Sequence, residues 1–238
     1  MVDNPPLEIS NLSFSIGSTN ILNGVDIAPK STFSRIGIVG ANGAGKSTLF
    51  KCIMGFEKNY RGDINLDDQI INSYNPHERV AKGLGYLAQD SWLFLDMNCY
   101  ENLLAPMQLA KKENSEAKEK CLHYLDEYGL MHLKDRRSKN LSGGEKRRLE
   151  IARTMMLGPK VLLLDEPFAG LDPHACEDLK SLLSKISDTG TRLWISDHQI
   201  NHIVELSEQI YLMDKGVIIL SGSPEELQKN ELAQKTYF

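Results

Sequence analysis

The chain has no long hydrophobic run. No apolar stretch among its 238 residues approaches the roughly 20 needed to cross a bilayer as a helix. Its first segment, MVDNPPLEIS, lacks a positive stretch followed by an apolar one and does not read as a signal peptide. Any service to a membrane is therefore expected to run through a partner, without direct insertion. Cysteine is sparse. Cys52, Cys99, Cys121 and Cys176 are unevenly spaced with no C-x-x-C pair, which suggests neither a zinc site nor a disulfide framework and points to reduced thiols. Positive charge is also short. With 27 Lys+Arg against 32 Asp+Glu the net charge is −5, so there is no global basic surface for nucleic acid or anionic lipid. The local clusters KDRRSK and EKRR read as solvated surface. Tandem repeats and low-complexity linkers are absent.

What is present is the composition of a soluble globular protein, 41% hydrophobic and 25% charged. Alternating apolar positions predict strands over residues 7–16 and 21–28, with a turn at GSTN. RIGIVG is a short strand running into a glycine loop, and KSTLFKCIMG a helix ending at Gly55. GDINLDDQIIN reads as a hairpin, PHERVAKG as a helix opened by proline, and LGYLAQ as a strand. From about Asp96 to Leu157 helical spacing takes over, with Leu149, Ala152 and Met156 on one face and Gly158–Pro159 as the stop. VLLLDE is continuously apolar, as in a sheet buried on both faces, and RLWISDH is similar. Residues 173–187 read as a crossover helix. QIYLMDKGVIILSG is hairpin-like, and SPEELQKN is a short capped helix. The pattern is an α/β core interrupted by a helical insertion.

Two segments carry phosphate chemistry. GANGAGKS, from Gly40 to Ser47, fits G-x-x-x-x-G-K-[ST] between a strand and a helix. Backbone N–H groups from Asn42 to Ser47 would cradle phosphate, Lys46 would reach the β- and γ-phosphates, and Ser47 would bind Mg²⁺. The second is NLSGGEKRRLEIAR. Ser142 and Glu145 form a capping box, and two glycines in the first turn leave the helix pole open to an anion. Between these segments and the chain end, VLLLDE closes a buried strand on two acids, where α/β sheets open their ligand crevice. Asp165 suits Mg²⁺ through water, and Glu166 suits the base that activates a water.

LSGGE lying between a phosphate loop and LLLDEP resembles the signature of ATP-binding-cassette (ABC) ATPases, and the similarity covers nearly the whole chain in the family's order. The resemblance implies an α/β P-loop fold: a RecA-like mixed-sheet core, an N-terminal antiparallel β subdomain and an inserted helical subdomain. One ATP-binding domain would fill residues 1–238, with the core in 1–95 and 158–238 and the helical part in 96–157. Nucleotide contacts would run through Gly40, Ala41, Asn42, Gly43, Ala44, Gly45, Lys46, Ser47 and Thr48. Gln89 in YLAQD would sense Mg²⁺ and the membrane partner. Ala169, Gly170, Leu171 and Asp172 would touch the opposing subunit, and His198 in ISDHQ would contact the γ-phosphate. Family cassettes pack head to tail, so Leu141, Ser142, Gly143, Gly144 and Glu145 would hold ATP bound to a second copy. HQINH has the i, i+4 spacing of a zinc pair but lacks the acid of H-E-x-x-H. His77, His123, His132 and His174 show no pattern and read as surface.

The sequence departs from the family in two places. The adenine-stacking aromatic of the first strand aligns with Ile16, while Phe14 lies two residues earlier, on the same face of a regular strand. The Gly-Glu turn before the phosphate-loop strand is replaced by TFSR. Within the family, GLGYLAQDSWLF, YENLLAPMQL, LLLDEPFAGLDP, ISDH and the chain end KTYF are most similar to the cassettes of bacterial lipopolysaccharide exporters. These act at the cytoplasmic face of the inner membrane. Trp92, Leu93 and Phe94 would then line a groove for the integral membrane subunits. The alternatives are a branched-chain amino-acid importer cassette and a soluble cassette of iron–sulfur assembly, whose signature region is also SGGEK. The short helical insert argues against sugar importers, and the missing coiled-coil arm against DNA-repair cassettes.

Overall fold

Every position of Val161–Asp165 (β7) is buried. A strand is apolar throughout only where both its faces are covered. Here Val161 and Leu163 point into one hydrophobic cluster, and Leu162 and Leu164 into another. The alternation continues through β3 (Arg35–Val39), β8 (Arg192–Asp197) and β9 (Gln209–Asp214). Ile36, Ile38, Trp194, Tyr211 and Met213 face the first cluster; Leu193, Ile195, Ile210 and Leu212 face the second. With β6 (Leu84–Leu87) and β10 (Val217–Gly222) these strands form a sheet in the order β10-β9-β3-β8-β7-β6. All neighbours are parallel except the edge strand β10, which is antiparallel to β9. The computed structural model describes residues 6–110 and 115–237, with side chains through residue 234. The segment MVDNP and the side chains of KTYF lie outside this.

One face is covered by an antiparallel sheet and two helices. The sheet has the order β2-β1-β4-β5, from β1 (Leu7–Ile16), β2 (Thr19–Ile27), β4 (Arg61–Leu66) and β5 (Gln69–Ile70). The helices are α1 (Lys46–Met54) and α2 (Pro76–Ala81). The opposite face carries α3 (Cys99–Leu109), α4 (Ser115–Glu127), α5 (Gly143–Met155), α6 (Pro173–Asp188), α7 (Ile200–Val204), α8 (Pro224–Lys229) and α9 (Glu231–Tyr237). α7 is an element the sequence reading left unassigned. The buried cluster on this face runs without a break from Leu103 and Leu125 of the helical insertion to Leu162 and Ile195 of the sheet. The central sheet thus lies between two covering layers, a mixed α/β arrangement of the kind that the resemblance to ABC ATPases implies.

Several expectations need correction. Phe14 and Ile16 differ sharply in exposure. Phe14 pairs with Leu22, Ser15 with Asn20 and Ile16 with Thr19, so the extra residue at the register shift, Ile21, belongs to β2, and Ile16 is the last residue of β1. Phe14 is 5% exposed in the core and Ile16 61% exposed. Leu93 is buried, whereas Trp92, Phe94 and Leu95 are exposed. EKRR is not wholly solvated, because Arg147 is buried, whereas Arg136, Arg137 and Lys139 of KDRRSK are exposed. All four cysteines are free and buried, and burial pushes the Cys52 thiol up to about 12 and the Cys99 thiol up to about 11.

Candidate active site

The parallel strands deliver their carboxyl ends to one edge of the sheet, where open α/β folds place ligands. β3 runs into Gly40, β6 into Gln89, β7 into Asp165 and Glu166, and β8 into Asp197 and His198. Gly45 is the N-cap of α1 at φ 109° and offers no side-chain cap. A left-handed cap of this kind favours glycine, and it leaves the first N–H groups of α1 without a side-chain acceptor. At Gly40 a Cβ would meet the carbonyl oxygen of Met213 at 2.4 Å, so only glycine fits that approach. Asn42, Gly43, Gly45, Lys46, Ser47 and Thr48 line a cavity of ≈ 640 Å³ together with Gln89, Glu166, Ala169 and His198. Ala44 is instead buried under the loop. Ala41 and Gly40 contribute carbonyls to Lys46. Neither Ile16 nor Phe14 lines the cavity; Ile21 does.

The polar groups converge on Glu166. Lys46 Nζ donates to Gly40 O at 2.7 Å and Ala41 O at 3.2 Å and lies 3.5 Å from Glu166 Oε1. Gln89 Nε2 donates to Glu166 Oε2 at 3.2 Å, and His198 Nδ1 is 3.4 Å from the same oxygen. Glu166 is buried, and its backbone is left-handed at φ 44°. A non-glycine residue held there stores on the order of 1–3 kcal/mol of strain, so the surroundings must over-determine it. They do. Glu166 N donates to Ser196 O at 3.0 Å, and Arg147 of α5 grips the following turn. Its guanidinium donates to Asp165 O at 3.2 Å, Glu166 O at 2.9 Å, Pro167 O at 2.9 Å and Ala88 O at 3.0 Å, and pairs with Glu150 at 3.1 Å.

Asp165 is 1% exposed. Ser196 Oγ donates to its Oδ1 at 2.6 Å and the Tyr86 hydroxyl to its Oδ2 at 3.3 Å. Burial, then the Asp165 charge, raise the Tyr86 phenol above its ordinary range, so it stays protonated and donates. Asp197 sits between two histidines, with His198 and His202 each 3.4 Å away. His202 also packs its ring on Phe168 at 4.9 Å. No cluster of three or more His, Cys, Asp or Glu side chains placed to hold a metal occurs among the described residues. Sequence reasoning missed Arg147, Ser196 and Tyr86, which are single residues without a spacing pattern.

The second glycine-led helix pole lies elsewhere on the surface. Ser142 caps α5, with Glu145 N donating to Ser142 Oγ at 3.3 Å and Ser142 N to Glu145 Oε2 at 2.7 Å. The backbone N–H of Ser142 holds the Glu145 carboxyl below its usual range. Ser142, Gly143, Gly144 and Glu145 line a cavity of ≈ 370 Å³ with Gly170, Leu171 and Asp172. Leu141 is buried and gives this surface no side chain. Gly144 also has a packing reason, since a Cβ there would sit 3.1 Å from Ala175 Cβ. Asp172 caps α6 by accepting from Ala175 N at 3.0 Å. Residues 169–172 thus stand between the two cavities, Ala169 on one side and residues 170–172 on the other.

A phosphate loop, a strand-end acid pair and a capped glycine helix on one mixed sheet define a nucleotide-hydrolysing cassette. The family model for ABC transporters matches residues 30–169, and this chain belongs to that family, whose cassettes bind and hydrolyse ATP. Among its curated relatives is the lipopolysaccharide export system ATP-binding protein LptB of Haemophilus influenzae, 34% identical over 232 residues, covering 97% of this chain and 96% of the relative. The branched-chain amino acid transport ATP-binding protein BraF of Pseudomonas aeruginosa is 33% identical over 249 residues, covering 98% and 97%. Of solved structures, the ADP conformation of MJ1267, an ATP-binding cassette of an ABC transporter, superposes with a TM-score of 0.88 at 27% identity over 97% of each chain.

Proposed function

We propose that this ATPase works as a head-to-tail homodimer with two composite sites, and that it drives lipopolysaccharide export through integral membrane subunits at the cytoplasmic face of the inner membrane. One observation carries the dimer. The cavity at Ser142, Gly143 and Gly144 shares no residue with the phosphate cavity, and residues 169–172 stand between them. The signature pole is turned outward, away from the chain's own nucleotide. Ser142 Oγ accepts from Glu145 N, and a hydroxyl that accepts one hydrogen bond still has its O–H to donate. The cap therefore leaves a donor for a γ-phosphate brought by a second copy, beside the positive end of α5.

In each composite site the phosphate-loop amides and Lys46 bind phosphate, and Glu166 takes the proton of the attacking water. Incoming phosphate competes with Glu166 for Lys46, which releases the carboxylate for that task. Gln89 and His198 orient it. The donors also suit Mg²⁺, a hard ion that prefers oxygen ligands: the Ser47 hydroxyl, the Gln89 amide and the Asp165 carboxylate. Asp165 does not line the cavity and would act through water. Mg²⁺ would neutralise phosphate charge. Glu166, His198 and Gln89 do the remaining positioning.

Export of lipopolysaccharide is favoured over amino-acid import by identity alone, 34% for LptB against 33% for BraF, the two covering this chain almost equally. No helix among the described residues is long and apolar enough to cross a membrane, so transport needs membrane subunits. A place for them is the groove bordered by Phe56, Tyr86, Trp92 and Arg153. Its rim carries Phe94 under the Arg153 guanidinium at 5.4 Å. Asn102 pins that rim by donating to Phe94 O at 3.1 Å and accepting from Phe94 N at 2.9 Å.

The test of the composite site mixes two inactive chains. A Lys46→Ala chain with a Ser142→Arg chain should yield heterodimers with one intact site, read as ATP retained by cross-linked heterodimers. No retention above that of either homodimer overturns the geometry. The membrane proteins that co-purify in detergent decide between exporter, importer and a cassette that needs no membrane partner.

A further inference from the structure

Tyr86 faces two ways. Its ring belongs to the groove, where it packs against Phe56 at 5.9 Å and Trp92 at 5.7 Å between centroids, and those two rings are themselves 5.9 Å apart. Its hydroxyl reaches through the sheet end to Asp165 Oδ2 at 3.3 Å. Asp165 is otherwise fixed at a single oxygen, Oδ1, by Ser196. A phenol is rigid beyond its two side-chain torsions, so its ring cannot shift without carrying the hydroxyl.

We propose that Tyr86 is a positioning residue that ties the aromatic wall of the groove to the orientation of the Asp165 carboxylate. Displacement of Trp92 or Phe56 moves the Tyr86 ring, and the hydroxyl then tightens or loosens its hold on Oδ2. Turning the carboxylate changes how well it serves the metal that accompanies ATP. The coupling is reciprocal, because a link between two equilibria works in both directions. Loading the metal therefore alters the packing of Trp92. The route is one side chain long and separate from Gln89, which reaches Glu166 rather than Asp165. The inference rests on Asp165 as the acid that serves the metal.

The chain has two tryptophans. Trp194 is 1% exposed and Trp92 is 52% exposed, so a soluble quencher isolates the Trp92 emission. The experiment uses the full chain with a non-hydrolysable ATP analogue. Mn²⁺ retention is read from the resonance of the free ion, and Trp92 quenching is read in parallel. In the unaltered chain, Mn²⁺ loading should change the quenching. Tyr86→Phe keeps the ring and removes the hydroxyl. It should weaken Mn²⁺ retention about tenfold, the scale of one hydrogen bond to a charged acceptor, and abolish the Trp92 response. Unchanged Mn²⁺ retention, or a Trp92 response that survives in Tyr86→Phe, overturns the proposal. Asp165→Asn is the control for its premise. If that variant holds Mn²⁺ as tightly as the unaltered chain, the reading of Asp165 has failed. If Asp165→Asn loses Mn²⁺ and Tyr86→Phe does not, the tie through Tyr86 alone has failed.

Discussion

The two glycine-led helix poles of this chain are built on opposite plans. α1 begins at Gly45 without a side-chain cap, and everything around it is wired: a buried lysine, a strained glutamate and an arginine holding the turn beyond. α5 begins at Ser142 with its capping box closed on itself, and no cation or acid of the phosphate site lies in its cavity. Under the proposed function, the difference separates the half that performs chemistry from the half that receives. The first must hold charges in fixed positions before substrate arrives, which is what electrostatic preorganisation requires. The second needs only an open, positively polarised surface, so its serine can complete its own helix and still present a donor.

The sharpest way to break that contrast is at Glu166. Glu166→Gln should lower turnover by about 10²–10⁴-fold, the usual loss for a general base. ATP binding should survive, and an ATP-bound dimer should accumulate on gel filtration. Near-normal steady-state hydrolysis removes Glu166 from the role. Arg147 comes next. Arg147→Met leaves Glu150 buried and unpaired and frees four carbonyls around Glu166. Stability should fall by about 3–5 kcal/mol, as when one partner of a buried pair is removed, with unfolding in urea as the measure. A change of less than about 1 kcal/mol, the level of an exposed pair, means the guanidinium is not what holds the turn.

A smaller effect probes the base end of the wired half-site. Stacking a base on an aromatic ring is worth about 1–3 kcal/mol, so Ile16→Tyr should tighten ATP binding by about 5- to 150-fold in calorimetry. Phe14→Ala should instead cost about 3–5 kcal/mol of stability, as a core deletion does. Unchanged affinity in Ile16→Tyr moves the adenine away from that strand end. The smallest effect belongs to the receiving pole. The Glu145 pKa is depressed in the folded chain. Its contribution is present above the unfolded carboxylate range and is lost as pH falls through the folded pKa. Amide exchange at the start of α5 should quicken only on acidification below the ordinary glutamate range, and Glu145→Gln should remove that step. An equal step in the variant assigns the acid response to another group.

How legible all this was depends on periodicity and spacing. The phosphate loop, the buried run of β7 and the box at Ser142 could be read because each is a local pattern with one physical meaning. Alternation puts Phe14 and Ile16 on one face, but it does not say that Ile16, the last residue of β1, lacks the cover that buries Phe14. In the run from Trp92 to Leu95 a loop has no period, so nothing local says that Leu93 alone turns inward. Arg147 was hidden by company. Beside Lys146 and Arg148 it looked like one more surface charge, and only tertiary contact with four carbonyls distinguishes it. Tyr86 and Ser196 act across strands that sequence does not align.

The wall at residues 169–172 also has a consequence for numbers of molecules rather than for atoms. In the proposed dimer a chain would not cover its own nucleotide alone, and its turnover would scale with the chance of meeting another copy. In dilute solution, activity per chain should rise with protein concentration until pairs saturate. A membrane scaffold holding two copies side by side replaces bulk concentration with a local one, millimolar for a short tether. ATP would then be spent chiefly where a transporter has assembled.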